Sequence, residues 1–142
     1  MKILIAVDGS KNSLDAVQYL IEHADWYREL PQVELVTVHL PVPQLPGLGS
    51  AVGKSSVARY YQEEGEARLT AAKRMLDAAK VPYQAHVLVG SVAESIVKHA
   101  KDKRCDVISI GTRGKSALEK ALLGSTATKV LHISDIPVLL VK

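Results

Sequence analysis

Short apolar runs alternate with longer segments of helical period along this whole chain, and few folds accept that pattern. Lys2 to Val7 (KILIAV) is a continuous apolar run closed by Asp8-Gly9-Ser10, which predicts a buried strand and a turn. Val33 to Leu40 (VELVTVHL), Tyr83 to Val89 (YQAHVLV), Asp106 to Ile110 (DVISI) and Ile136 to Val141 (IPVLLV) predict four more strands. Tyr83 to Val89 alternates, so one of its faces should be less buried. Between the runs, Leu14, Val17, Leu20 and Ile21 keep helical spacing in a predicted helix over Ser13 to Leu30, closed by Pro31. Leu69, Ala72, Met75 and Leu76 mark one face of a helix over Ser56 to Lys80, which stops before Pro82. Gly90-Ser91 opens a third helix, running to about Lys103, with Ser91 and Glu94 spaced as a capping box. Thr126 to Ile133 is a fourth. Strands alternating with helices predict an α/β fold: an open parallel sheet with helices on both faces and right-handed connections. A chain of 142 residues suits one such domain, spanning 1–142.

The rest of the composition narrows the function. The formal net charge is +3, and Lys and Arg are interspersed with Asp and Glu. Phe is absent, so the basic stripe with interleaved aromatics expected of a nucleic-acid binder is missing. Cys105 is the sole cysteine, which excludes an internal disulfide and a cysteine-based metal cluster and suits a small buried hydrophobe. No apolar stretch is long enough for a signal peptide or a membrane span. The expectation is a cytoplasmic domain that binds neither nucleic acid nor membrane.

One segment breaks the pattern. Pro41 to Ser55 (PVPQLPGLGSAVGKS) is long for a connection, rich in Pro, Gly and Ser, and leaves the C-terminal end of a strand. It contains Gly53-Lys54-Ser55, but a phosphate-wrapping P-loop needs glycine where Leu48 stands. A second Gly-Lys-Ser, at Gly114 to Ser116, would need glycine where Ser109 stands, inside the fourth strand. A third arrangement is better founded. Gly111 ends the fourth strand, Gly114 follows after two residues, and Gly124-Ser125 after nine more. Glycines let the backbone turn sharply and approach a ligand. Ser116 with Glu119 can cap a short helix, and Gly124-Ser125 opens the next one, whose free N–H groups favour an anion. Arg113 and Lys115 lie nearby to offset charge.

The spacing Gly111, Gly114, Gly124, Ser125 resembles the signature of the universal stress protein family in its nucleotide-binding branch. The resemblance extends along the chain through VDGS at the first strand's end, VHL at the second's, the GS-x-x-E helix start, DVISIGTRG and IPVLLVK. It implies a Rossmann-like domain of the adenine nucleotide alpha hydrolase-like type, with a five-stranded parallel sheet in the order 3-2-1-4-5. It also implies ATP, with or without Mg²⁺, across the C-terminal edge of strands 1 and 4. Carried over by position, Asp8 would meet the ribose, and Leu40 would offer adenine a main-chain contact and an apolar wall. Gly111, Gly114, Gly124 and Ser125 would face the phosphates, with Thr126 adding a hydroxyl. The resemblance further implies a homodimer through strand 136–141, a use that suits an apolar edge. The 41–55 loop belongs to a variable region, and a lid role does not carry over.

The functional expectation is an ATP-binding module of stress response or signalling. Its alternatives are an enzyme that slowly hydrolyses ATP or transfers its phosphate, a dimeric interaction protein with an empty site, and, more weakly, a flavin protein of related architecture. No acidic pair or histidine falls in the glycine stretch to support fast hydrolysis. His39, at a strand end near the expected pocket, reads as a residue satisfied by its neighbours. His23, His86, His99 and His132 sit on different elements without metal-ligand spacing. Trp26 and Tyr27 read as packing residues. Tyr60 and Tyr61, just after the long loop, read as helix-start packing or as a cover for a base.

Overall fold

The computed structural model describes residues 1–43, 53–112 and 123–142. Among them the chain forms strands β1 (Lys2–Ala6), β2 (Gln32–His39), β3 (Tyr83–Val89), β4 (Val107–Gly111) and β5 (Val138–Val141). The helices are α1 (Asp15–Glu22), α2 (Lys54–Ala78), α3 (Val92–Asp102) and α4 (Ser125–Ile133). All strand pairings are parallel, in the order β3-β2-β1-β4-β5. The predicted fold class and strand order hold. The continuous apolar runs are explained by burial on both faces of the sheet. In β1, Ile3 and Ile5 pack under α1 and α2, while Leu4 and Ala6 pack under α3 and α4. Leu4, Ile5, Leu35 and Ile108 are fully buried, each contributing roughly 1.5–3 kcal/mol of transfer free energy. At the sheet's edge, β3 is only partly covered, as its alternation predicted.

The first predicted helix is the largest departure. Instead of one helix over 13–30, a 3-10 turn at Lys11–Leu14 leads into α1, and a second 3-10 turn follows at Ala24–Trp26. Only Ala16, Val17 and Leu20 of α1 are buried, and most of the segment 22–30 is exposed or half-buried without an inward stripe. Without such a stripe, helical propagation gains little from packing. The His23 ring helps end the helix: Nδ1 lies 2.8 Å from the Tyr19 carbonyl, and its ring stacks on Tyr19 and meets Trp26 edge-on. Trp26 is 67 % exposed, so its packing is confined to this small surface cluster, while Tyr27 packs at the margin of the core.

The capping box at the start of α3 does not form. Ser91 occupies the cap position, yet its side chain makes no capping bond. The Glu94 carboxylate reaches across to Lys129 Nζ of α4 at 2.5 Å instead. That contact, more than the bond to its own backbone, holds the Glu94 carboxyl below its ordinary range. A full opposite charge on the neighbouring helix outcompetes a neutral backbone donor. Gly53-Lys54-Ser55 also differs from expectation: Gly53 is the N-cap of α2, and Lys54 and Ser55 form its first turn. The predicted helix at Ser116 to Glu119 lies outside the described residues.

Candidate functional site

The strand order makes β1 and β4 neighbours while their following connections lead to opposite sides of the sheet. Open α/β sheets bind ligands in the crevice at such a point, beyond the C-terminal strand ends. Ala6 of β1 is in register with Ile110 of β4, so the chain leaves both strands at the same level.

On the β1 side the exit is a locked turn. Ser10 N–H donates to Asp8 Oδ1 at 2.9 Å, and Asp8 N–H donates to Ser13 Oγ at 3.2 Å. Ser13 Oγ donates onward to the Ser10 carbonyl at 2.8 Å, and Ser10 Oγ accepts from Ser13 N–H. Gly9 takes φ +80, the left-handed region that only glycine enters at low cost. These contacts fix the Asp8 backbone and one carboxylate oxygen at the strand end.

On the β4 side the chain is equally constrained. Thr112 N–H donates to the Val141 carbonyl at 2.8 Å, and the Thr112 carbonyl accepts from Gly124 N–H at 2.7 Å. Thr112 is buried. The second contact brings the start of α4 back to the strand from which the chain departed. Gly124 is the N-cap of α4, and Ser125 and Thr126 are its first two residues. Its first-turn N–H groups lack helical acceptors, as at any helix start. Gly111 has a packing role of its own: a Cβ there would stand 2.7 Å from the Asn12 carbonyl oxygen. Its lack of a side chain lets the β1 turn and the end of β4 close on one another.

Of the predicted site residues, Asp8, Gly111 and Gly124 with Ser125 and Thr126 therefore converge at the β1/β4 edge. Leu40 lies one strand away, directly after β2, and is 68 % exposed. Arg113, Gly114 and Lys115 lie outside the described residues. His39 is buried at the end of β2, its ring 5.7 Å from that of Tyr61. Tyr61 belongs to α2 and its hydroxyl accepts from Val42 N–H at 2.6 Å, which ties the start of the long connection to the helix.

Sequence reading passed over two groups. Arg68 of α2 reaches over the edge, Nη1 donating to the Val38 carbonyl at 3.3 Å, and its stem lies against the space a Gly9 Cβ would need. Its Nε is buried without a hydrogen-bond partner. The signal was a charge beside Gly65, Leu69, Ala72 and Leu76, the buried stripe of α2. The other group lies under α3, toward the β3 side of the sheet. His86 and His99, read as dispersed, meet at Glu34: His86 Nε2 lies 2.7 Å and His99 Nε2 3.5 Å from Glu34 Oε2. Glu34 in the middle of an apolar strand was the overlooked sign. Burial, and then the charge of His86, press the His99 pKa below its ordinary value against the pull of Glu34. Nearby, burial pushes the Cys105 thiol up to about 11, which keeps it protonated and unreactive.

The whole chain, residues 1–142, matches the universal stress protein family. The universal stress protein MJ0531 of Methanocaldococcus jannaschii is 37 % identical over 99 % of this chain and 81 % of its own length. YxiE of Bacillus subtilis, also a universal stress protein, is 32 % identical over 99 % of this chain and 98 % of its own. Among solved structures, MJ0577 of M. jannaschii superposes with a TM-score of 0.81 at 27 % identity, covering 99 % of this chain and 94 % of that one. A universal stress protein in complex with cAMP shares the fold at 24 % identity and a TM-score of 0.68, over 100 % of this chain and 96 % of its own. The Archaeoglobus fulgidus protein in complex with dAMP does so at 24 % and 0.65, over 100 % and 98 %. With a family match from end to end and relatives covered over most of their length, the chain belongs to the universal stress protein family.

Proposed function

We propose that this protein is an adenine-nucleotide-binding module, with ATP held across the C-terminal edge of β1 and β4. The observation that carries the reading is the Gly124 N–H bond to the Thr112 carbonyl. It returns the start of α4 to the end of β4, against whose Gly111 the β1 turn closes, and a helix N-terminus and a carboxylate at one sheet edge support the reading. A helix start favours phosphate, and a carboxylate favours ribose hydroxyls. In this reading Asp8 accepts from the ribose, and Leu40 walls the adenine. Gly111, Gly114, Gly124, Ser125 and Thr126 face the phosphates, with Arg113 and Lys115 offsetting charge. Asp8 Oδ1 accepts from Ser10 N–H, which holds the carboxylate at the strand end. Two proteins of the same fold take up cAMP and dAMP, which is consistent with an adenine ligand but, at 24 % identity, speaks for those proteins.

Thermal-shift and calorimetric titration with ATP, AMP and GTP test the proposal. ATP at about a hundredfold over its Kd should raise stability by about 2.7 kcal/mol, with GTP giving a smaller effect. Absence of any response to adenine nucleotides would overturn it.

The reading includes a homodimer through 136–141. Val138, Leu139 and Leu140 are half-buried in the single chain, and among the described residues β5 pairs only with β4. An apolar parallel-sheet edge is a pairing surface unless it is covered. Light scattering should return twice the 15.4 kDa chain mass. A monomer at high concentration would count against it.

A further inference from the structure

We propose that Glu34, His86 and His99 form a binding site for a divalent d-block cation of the Zn²⁺ class, between α3 and the face of the sheet it covers. The three residues come from different elements, β2, β3 and α3, and are brought together by the fold alone. Alternation along the strands explains how. Glu34 shares its parity with Val36 and Val38, which face α3 and α4, and His86 shares its parity with Leu88 on the same side. His99 lies three residues after Ile96 on the inner face of α3.

The donor set and its geometry suit such an ion. One carboxylate oxygen and two imidazole nitrogens lie within 4.8 Å of one another. Tetrahedral coordination at Zn–N and Zn–O distances near 2.0–2.1 Å sets donor–donor separations of about 3.3 Å. The observed separations from Glu34 Oε2 are 2.7 Å to His86 and 3.5 Å to His99, so seating an ion needs shifts of side chains and not of the fold. His99 Nε2 is buried without a hydrogen-bond partner, with the carboxylate 3.5 Å away, a cost that ligation would remove. The Glu34 side chain is 5 % exposed, and a buried carboxylate demands positive charge. Lys2 Nζ supplies part of it, 3.8 Å from the other oxygen, Oε1, which leaves Oε2 to the histidines. His99 is also in the last turn of α3, where the helix dipole favours a cation. Two nitrogens and one oxygen select against Mg²⁺ and Ca²⁺, which prefer all-oxygen shells. Three protein ligands leave a fourth position for water, on the side where His86 is 24 % exposed. Glu34 is level with Leu4 of β1 and His86 with Ala6, four and two residues before Asp8, and His86 stands two strands aside from β1, about 10 Å across the sheet. The site is thus separate from the nucleotide edge, and its test stands whether or not ATP binds.

The chelator-treated full-length protein is titrated with Zn²⁺ against a competing chromophoric chelator, with Co²⁺ as a spectroscopic probe and Mg²⁺ as a control. The expected result is one Zn²⁺ per chain, an intense visible Co²⁺ band of four-coordinate type, and no Mg²⁺ binding. A hundredfold excess of Zn²⁺ over Kd should raise Tm by about 8 °C. His86→Gln, His99→Gln and Glu34→Gln should each weaken Zn²⁺ at least tenfold, and His23→Gln should leave it unchanged. Absence of saturable Zn²⁺ binding to the wild-type protein overturns the proposal. So does 1:1 binding that neither folded histidine variant weakens. Should Glu34→Gln fail to fold, His86→Gln and the wild-type Co²⁺ spectrum still decide.

Discussion

Gly124→Val should reduce adenine-nucleotide affinity more than about a hundredfold while the protein stays folded. Gly124 has φ −69 and ψ 157, an extended conformation open to any residue, so valine imposes no backbone change. Its N–H bond to the Thr112 carbonyl also survives, because valine keeps its N–H. Gly124 caps α4 without a side-chain bond, so the loss on the helix side is limited to valine's poorer fit at a cap, on the order of 1 kcal/mol. What changes is the space in front of the first N–H groups of α4, into which a branched side chain would project. Two charge-assisted hydrogen bonds lost there, at about 1.5–3 kcal/mol each, give the expected factor. Calorimetric titration with ATP measures the affinity, and circular dichroism melting verifies the fold. Wild-type affinity in a folded Gly124→Val protein would move the phosphates away from α4.

That prediction depends on residues whose spacing was visible in the sequence, and much of the fold was visible in the same way. The buried strands announced themselves because a strand covered on both faces must be apolar throughout. The partly covered edge strand β3 announced itself by alternation. Local signals failed where a distant group competed for the same atoms. Ser91 and Glu94 have capping spacing, but Lys129, thirty-five residues beyond Glu94, takes the carboxylate. The segment 13–30 has helical spacing only to Ile21, and the break comes where inward contacts end. The Glu34 cluster gave only one local sign, a carboxylate within an apolar strand, because its closest contact joins residues 52 apart, through a strand register that no local pattern encodes. Gly111 carried two meanings at once. It was read as a ligand-facing residue, yet the structure also needs it bare to seat the Asn12 carbonyl. Loss of nucleotide binding on substituting Gly111 would therefore confound packing with contact, which makes Gly124 the better position to test.

Gly65→Ala should destabilise the protein by about 2 kcal/mol, although alanine is the better helix former. Gly65 sits in the middle of α2 on its buried stripe, and a Cβ there would stand 2.4 Å from both methyl groups of Val87 on β3. Rotation of the valine cannot clear the space, since Val87 Cβ is itself 3.0 Å away. The helix would have to lift from β3 near the sheet's edge, loosening contacts at Leu69 and beyond. Helix propensity returns about 1 kcal/mol, so the overpacking term must exceed it for the net loss expected. A double-mutant cycle isolates the cause. Val87→Ala removes the two methyls and costs stability alone, but in combination with Gly65→Ala it should recover at least about 1 kcal/mol relative to the sum of the single changes. Urea unfolding with a constant m-value is the measurement. Simple additivity would show that α2 accommodates the methyl group by another route, and that the close approach of helix and strand is not what keeps position 65 bare.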